Sequence, residues 1–203
     1  MFDRAGIDKE LSRLGALTPA GYLIALHIRF ATPLWRFHTY SEEWIDHYTA
    51  QAYQLRDPMV AWGFSTEGTS RWSELGIPDT FGIMEEAGEF GMPYGIVVSC
   101  GPISSRTIAG CARADREYEV GEMEEIAQIV RHLHEMTEPP DSLTQAQIDA
   151  LRLIAAGDRH AAAAAKLGIS ESALKARLTA ARHRLMARTT AEALQRAKEY
   201  RLL

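Results

Sequence analysis

The sequence predicts an α+β N-terminal domain, an antiparallel sheet sandwiched by helices, followed by an all-α helix-turn-helix domain. Short segments of alternating or continuous apolar residues occur as two pairs, each pair joined by a turn. Amphipathic segments with a helical period precede, separate and follow these pairs. Beyond two consecutive prolines at 139–140, the remaining patterns are all helical. The predicted boundaries are 1–136 for the first domain, 137–142 for a linker and 143–203 for the second domain.

Four strands are the minimum for the predicted sheet. Residues 21–29 and 34–40 are expected to form a hairpin around a turn that contains Pro33, and residues 95–99 and 106–113 a second antiparallel pair around a Gly-Pro turn. Helices are predicted at the segments between and around them, namely 7–17, 42–55, 83–89 and 120–136. The sheet is therefore expected to have helices on both faces.

The C-terminal segment predicts a compact set of helices with clear ends. Thr144 and Gln147 have the spacing of a capping box, and the helix that they begin should end at Gly157. A short second helix is predicted over 161–167, and Ser170 should cap a third. This order of helix, turn and capped helix is typical of a helix-turn-helix.

The two predicted domains differ in charge. Residues 1–142 contain 11 basic and 22 acidic side chains, whereas residues 143–203 contain 11 basic and 5 acidic ones. Such a division is expected where one half approaches phosphates, although chance clustering of surface charges remains an alternative.

Composition narrows the classes of function. The acidic N-terminus lacks an apolar stretch and predicts neither a signal peptide nor a membrane span, so a cytoplasmic location is expected. Two cysteines cannot build a disulfide framework and have no histidine at metal-ligand spacing. The sequence contains no nucleophile elbow, P-loop or HExxH motif. We therefore expect no enzyme activity, no cofactor and no metal.

The C-terminal segment resembles the DNA-binding domain of LuxR-type regulators over almost all of 143–203. The resemblance lies in LTQAQIDALRLIAAG, in AAKLGISESALKARLTAARHRL and in the closing AEALQRAKEYRLL. It implies that the third helix enters the major groove of double-stranded DNA. Ser172, Lys175 and Thr179 match base-facing positions, and Arg177 and Arg182 are expected to contact phosphates. The second helix departs from the family pattern with its run of alanines, which predicts weaker packing beneath the third helix.

Bulky aromatic residues and one carboxylate cluster in the N-terminal domain, at Tyr40, Trp44, Tyr48, Asp57 and Trp72. Indole, phenol and carboxylate groups can each hold one polar atom of a ligand that is otherwise apolar. Taken singly, each residue has a structural alternative: a Trp on an amphipathic helix is usually core, and an Asp before Pro is commonly a turn former or helix cap. The interpretation as a ligand-binding pocket therefore rests on their joint spacing.

This spacing resembles the autoinducer-binding domain of the same LuxR family, whose ligand is an N-acyl-homoserine lactone. The resemblance implies that Trp44 binds the lactone carbonyl, Asp57 the ligand amide and Tyr40 the acyl carbonyl. Trp72 would cover the lactone ring and Tyr48 would flank the head group. The remaining matching positions, which would line the acyl tail, are Leu26, Val60, Ile83 and Met92.

Two positions suggest an atypical ligand. Arg36 precedes Tyr40 by four residues on one predicted strand, so both should point to one face, where the family often has a small residue. An arginine there could shorten the pocket or bind a polar ligand. Cys111 matches a position where a hydroxyl commonly assists the ligand amide, and a thiol is a weaker donor.

We expect a homodimeric, ligand-responsive transcriptional regulator of quorum sensing. The alternative is a ligand-independent LuxR-like protein that inhibits another LuxR-type regulator by heterodimerisation, which Arg36, Cys111 and the alanine-rich second helix favour. Expression that is indifferent to added lactone would support this alternative.

Overall fold

The computed structural model describes residues 4–29, 32–138, 143–200 and 202–203. The chain divides into two compact units, one over Asp3–Thr137 and the other beginning at Glu138. Most of the segment predicted as a linker, 139–142, lies outside the described residues. Within the described ranges, no helix is long and apolar enough to cross a membrane.

The N-terminal unit is organised around a five-stranded antiparallel sheet with the strand order β2-β1-β5-β4-β3. Its strands are β1 (Tyr22–Ile28), β2 (Trp35–His38), β3 (Gly68–Arg71), β4 (Tyr94–Cys100) and β5 (Arg106–Arg113). The sequence did not predict β3, because its four residues are mostly polar and all half-buried at the edge of the sheet. The expected antiparallel sheet with helices is confirmed for this unit.

Helices cover both faces of this sheet. They are α1 (Arg4–Leu17), α2 (Glu42–Ala50), α3 (Pro58–Ser65), α4 (Ile83–Glu89) and α5 (Val120–Met136). The prediction that one helix runs over 42–55 is wrong, because Ala52 takes a left-handed conformation with φ of 51° and a separate 3₁₀ turn follows. The sequence also missed α3, which Asp57 caps and Pro58 begins.

The alternation of side chains divides the unit into two apolar layers. On one face, α1 and α5 pack on residues such as Ile24 of β1, Ile96 of β4 and Cys111 of β5. On the other face, α3 packs on Val97 and Ile108, and α2 and α4 lie beside it. The second layer is incompletely filled and contains the candidate site.

The C-terminal unit consists of helices in its described part. These are α6 (Gln145–Ala155), α7 (His160–Lys166), α8 (Glu171–Arg184) and α9 (Thr190–Glu199). Thr144 and Gln147 form the capping box of α6, and Ser170 caps α8 by accepting the N–H of Ala173 at 3.2 Å. The apolar residues that these helices bury include Leu151, Leu174, Leu178, Ala181 and Leu185.

Candidate functional site

A cavity of about 680 Å³ lies between the sheet and the helices α2, α3 and α4. Its volume is within the range of small-molecule sites. The sheet contributes wall residues from β1, β2 and β5, and the helices contribute the opposite wall. The cavity is lined entirely by residues of the N-terminal unit.

The structure brings together the aromatic and acidic residues that the sequence singled out. Six predicted polar or aromatic site residues line the cavity, namely Arg36, Tyr40, Trp44, Tyr48, Asp57 and Trp72. Two predicted apolar residues, Val60 and Ile83, line it as well. The lining residues that the sequence did not single out include Leu23, Ala25, Ile28, Ile45, Met59, Phe64, Met84 and Ile108.

Asp57 is the carboxylate of the cavity and has a structural task there. One carboxylate oxygen accepts the backbone N–H of Met59 at 2.7 Å, which caps α3. The other accepts the phenol O–H of Tyr48, also at 2.7 Å. Burial raises the pKa of Asp57, and these two hydrogen bonds oppose that rise. The helix cap anticipated as a structural alternative is therefore present, and it fixes the carboxylate at the cavity wall.

Tyr48 and Trp44 lie one helical turn apart on α2 and contact each other. Their ring centroids are 5.7 Å apart in an edge-on arrangement, and Phe90 packs on Trp44 at 5.2 Å. Trp44 is 5% exposed. Burial and the bond to Asp57 raise the pKa of Tyr48, so its phenol stays protonated and remains a donor. This packing holds both rings against the cavity in fixed orientations.

Two buried polar groups of the cavity wall have no hydrogen-bond partner within the described residues: the Tyr40 hydroxyl and the Trp72 indole Nε1. Leaving a buried donor unpaired costs about 1–3 kcal/mol. The Tyr40 hydroxyl lies near Gly110, where a Cβ atom would be 3.3 Å from its oxygen. Both groups can therefore donate to a ligand that carries hydrogen-bond acceptors.

Gly95 and Trp72 show why the sheet has a glycine beneath the indole. A Cβ atom at Gly95 would fall 2.5 Å from ring atoms of Trp72, closer than van der Waals contact permits. The missing side chain lets the indole lie directly on β4. This contact places Trp72 at the cavity wall.

Three predicted ligand contacts need correction. Leu26 and Cys111 do not line the cavity, because strand alternation points both into the layer beneath α1 and α5. On β5 the cavity-facing residues are Ile108 and Gly110 instead. Burial raises the pKa of the Cys111 thiol. Met92 is buried in the cluster that contains Trp44 and Ile83, but it is outside the cavity lining.

The residues predicted to contact DNA lie on α8. Ser172 and Lys175 are exposed and Thr179 is half-buried, and their spacing places these three residues on one face of the helix. Leu174 and Leu178 are buried. Of the two arginines expected at phosphates, Arg177 is half-buried. Arg182 donates to the Thr179 hydroxyl and to the carbonyl of Arg188, both at 3.3 Å. These bonds hold the Arg182 guanidinium beside the end of α8.

Residues 24–136 match the autoinducer binding domain family, and this match covers more than half of the chain. The chain belongs to the autoinducer-binding domain family. The family region contains every residue that lines the cavity except Leu23. None of the curated protein sequences matches the chain significantly.

Solved structures of similar fold include those of two proteins, SdiA and CepR2. The crystal structure of Escherichia coli SdiA is 17% identical, with a TM-score of 0.54, and covers 100% of this chain and 92% of that one. A structure of SdiA in complex with octanoyl-rac-glycerol has 17% identity and a TM-score of 0.52, covering 96% and 86%. CepR2 from Burkholderia cenocepacia, an N-acylhomoserine lactone dependent LuxR family transcription factor, is also 17% identical, with a TM-score of 0.51, and covers 65% and 80%. At this identity the likeness establishes the fold.

Proposed function

We propose that this protein is a ligand-responsive, DNA-binding transcriptional regulator of quorum sensing, and that its ligand is an N-acyl-homoserine lactone or a related acyl amphiphile. The observation that carries the proposal is the cavity. Its walls are apolar and a small set of polar groups converges on it, in a chain that belongs to the autoinducer-binding domain family. Two proteins with the same fold are associated with acyl compounds: SdiA was solved in complex with octanoyl-rac-glycerol, and CepR2 is N-acylhomoserine lactone dependent.

In this proposal each polar group has one task at the ligand head. Trp44 donates its indole N–H to the lactone carbonyl, and Tyr40 donates its hydroxyl to the acyl carbonyl. Asp57 accepts the ligand amide N–H through lone pairs that its bonds to Tyr48 and Met59 leave available. Trp72 covers the lactone ring, and its buried indole N–H gains an acceptor. Val60 and Ile83 contact the acyl chain together with the unpredicted apolar residues of the wall.

The response to ligand follows from the thermodynamic linkage between ligand binding and folding. A ligand that binds only the folded state stabilises it, and here it also pairs buried donors that otherwise lack partners. We propose that the stabilised N-terminal unit forms a homodimer. The dimer would place two copies of α8 on a two-fold symmetric DNA site, with Ser172, Lys175 and Thr179 toward the bases.

Calorimetric titration of the full chain with a series of N-acyl-homoserine lactones tests the pocket. We expect Asp57→Asn to weaken lactone binding by about tenfold or more, because a charge-assisted bond to the ligand amide contributes roughly 1.5–3 kcal/mol. Asparagine can still cap α3, so folding should be retained. Trp44→Phe should weaken binding through the lost indole N–H.

Asp46→Asn is the matched control, since Asp46 is exposed on α2 and does not line the cavity. Equal lactone affinity in the parent and in Asp57→Asn would contradict the pocket assignment. If no lactone binds, and soluble expression is indifferent to added lactone, the ligand-independent inhibitor becomes the better interpretation.

A further inference from the structure

The cavity is lined by one positive and one negative side chain, and the residues that the structure describes supply hydrogen-bond partners for the negative one alone. Arg36 and Asp57 are the charged residues among those that line it. Both oxygens of Asp57 already accept hydrogen bonds from the protein. Arg36 forms no ion pair or hydrogen bond with any residue in the described part of the chain. The cavity therefore has one carboxylate held by protein donors and one guanidinium for which the protein supplies no acceptor.

The position of Arg36 directs its side chain to the cavity. Arg36 lies on β2 directly opposite Ala25 of β1, and directly opposite residues of antiparallel strands project from the same face. Ala25 also lines the cavity. The side chain of Arg36 is exposed to solvent, which places the guanidinium at the rim. Its charge lies close enough to Tyr48 to oppose the rise in the pKa of that phenol.

The remaining unpaired groups of the wall are also donors. The Tyr40 hydroxyl and the Trp72 indole N–H have no acceptor within the described residues. Together with Arg36 they leave the cavity with an excess of donors, so a complementary ligand must bring acceptor oxygens. A neutral alkyl chain laid against Arg36 would remove water from the guanidinium without replacing its hydrogen bonds, at a cost in affinity.

We propose that the ligand is an acyl amphiphile that carries a carboxylate, and that Arg36 selects it by pairing with this carboxylate at the rim of the cavity. This inference rests on the proposed function, because it adds a charged group to the ligand of the same site. Arg36 is then a specificity-determining residue. A guanidinium can bind the two carboxylate oxygens side by side, which favours a carboxylate over a single carbonyl.

The test compares three probes by calorimetric titration of the full chain at one pH. The neutral reference is N-octanoyl-homoserine lactone. Its ring-opened form, N-octanoyl-homoserine, carries a carboxylate at the head, and N-(7-carboxyheptanoyl)-homoserine lactone carries one at the tail. We expect one of the two carboxylate probes to bind at least about fivefold more tightly than the reference, as a partly exposed ion pair allows. The identity of that probe shows which end of the ligand contacts Arg36.

Variants separate the role of Arg36 from general effects on the pocket. Arg36→Met should abolish the carboxylate preference, so that within this variant the carboxylate probes bind no more tightly than the neutral reference, and Arg36→Lys should retain part of the preference. Arg131→Met is the matched control, because Arg131 is an exposed arginine of α5, on the opposite face of the sheet. The preference of the parent should also decrease as salt is raised.

The outcomes distinguish this inference from the proposed function. Binding of the neutral reference as tightly as both carboxylate probes overturns the inference and leaves the lactone pocket intact. A carboxylate preference that persists in Arg36→Met also overturns it. Failure of all three probes to bind the folded parent overturns the inference together with the proposed function.

Discussion

His27 is a fully buried imidazole in a backbone conformation that strands rarely adopt. Its φ is 52°, at the bulge that shifts the pairing of β1 with β5. Nε2 lies 2.9 Å from the carbonyl oxygen of His134, which can only accept, so Nε2 carries the proton. Nδ1 then accepts from the Ser105 hydroxyl at 2.9 Å. The neutral ring is thus matched to its surroundings, and the His134 ring stacks on it at 4.2 Å.

This environment predicts a loss of stability in acid. Burial lowers the pKa of His27 to about 4, and the neighbouring charges of His134 and Arg29 add to the effect. An unfolded histidine titrates near pH 6.5, so between about pH 6.5 and 4 the unfolded chain binds a proton at His27 that the folded chain does not bind. The contribution of His27 to the free energy of unfolding is complete above about pH 6.5, and the free energy of unfolding should fall by about 2–3 kcal/mol as the pH drops toward 4.

Urea unfolding followed by tryptophan fluorescence measures this change. All four tryptophans lie in the N-terminal unit, so the signal reports that unit alone. Compared with the parent, His27→Asn should show a flatter pH dependence between 6.5 and 4, since asparagine tolerates a positive φ and does not titrate there. The exposed His38, which lies in the same unit, provides the control His38→Asn. Parallel pH profiles for the parent and His27→Asn would refute the assignment.

Single residues of the site differ in how far the sequence could predict them. The sequence singled out Tyr40, Trp44 and Asp57 by their joint spacing, and all three line the cavity. Leu26 was misplaced by one position on β1: Ala25 faces the cavity, and after the bulge Ile28 faces it again. Which face of β1 borders the cavity depends on how distant strands and helices pack, which the local pattern does not contain.

Among the elements, α7 begins without a side-chain cap. Arg159 occupies its N-cap with φ −72° and ψ 155°, and no side chain caps it. Ser170 caps α8 with the same backbone angles and does accept an N–H. The backbone of α7 is therefore already arranged for a cap, and only the acceptor is missing. Its buried side chains, Ala163 and Ala164, are small and add little apolar area.

Arg159→Ser should stabilise α7 by about 0.5–1 kcal/mol, because serine supplies the acceptor for an N–H that the first turn leaves unpaired. Amide hydrogen exchange of α7 in the full chain measures the gain as increased protection. Arg159→Ala, which removes the same side chain without adding an acceptor, should give no comparable gain. Equal protection in the serine and alanine variants would show that the missing cap does not limit the stability of α7.

The elements that the sequence missed share a physical cause. Helix α3 begins at an Asp-Pro pair, which signals a turn as readily as a helix start, and its apolar residues form a short run without clear periodicity. Strand β3 is held by pairing with β4 rather than by its own composition. In contrast, α5 has a long amphipathic pattern, and the structure reproduces the predicted bounds of Val120–Met136.

At the scale of the whole molecule, the two units carry opposite charge. The net charge is −11 for residues 1–142 and +6 for residues 143–203, counting histidine as neutral. The proposed DNA contact should therefore depend on the C-terminal unit and on salt, because basic side chains displace counterions from phosphates. The acidic unit would be repelled by the same phosphates.

Base contacts and phosphate contacts can be separated by comparing a specific DNA site with unselected duplex. The specific site is obtained by selection from a random pool of duplexes with the full chain and its ligand. We expect the selected site to be two-fold symmetric. Lys175→Ala should weaken binding to that site by about 1–3 kcal/mol and have a smaller effect on unselected duplex, because Lys175 is proposed to face the bases.

Arg177→Ala should behave differently from Lys175→Ala. As a proposed phosphate contact, Arg177 should support binding to selected and unselected duplexes alike, and its loss should reduce the slope of log affinity against log salt by about one for each chain bound. Lys198→Ala is the control, since Lys198 is exposed at the end of α9 and outside the proposed interface. Fluorescence anisotropy at several salt concentrations measures both quantities. If Lys198→Ala weakens the selected complex as much as Lys175→Ala does, α8 is not the helix that reads the DNA.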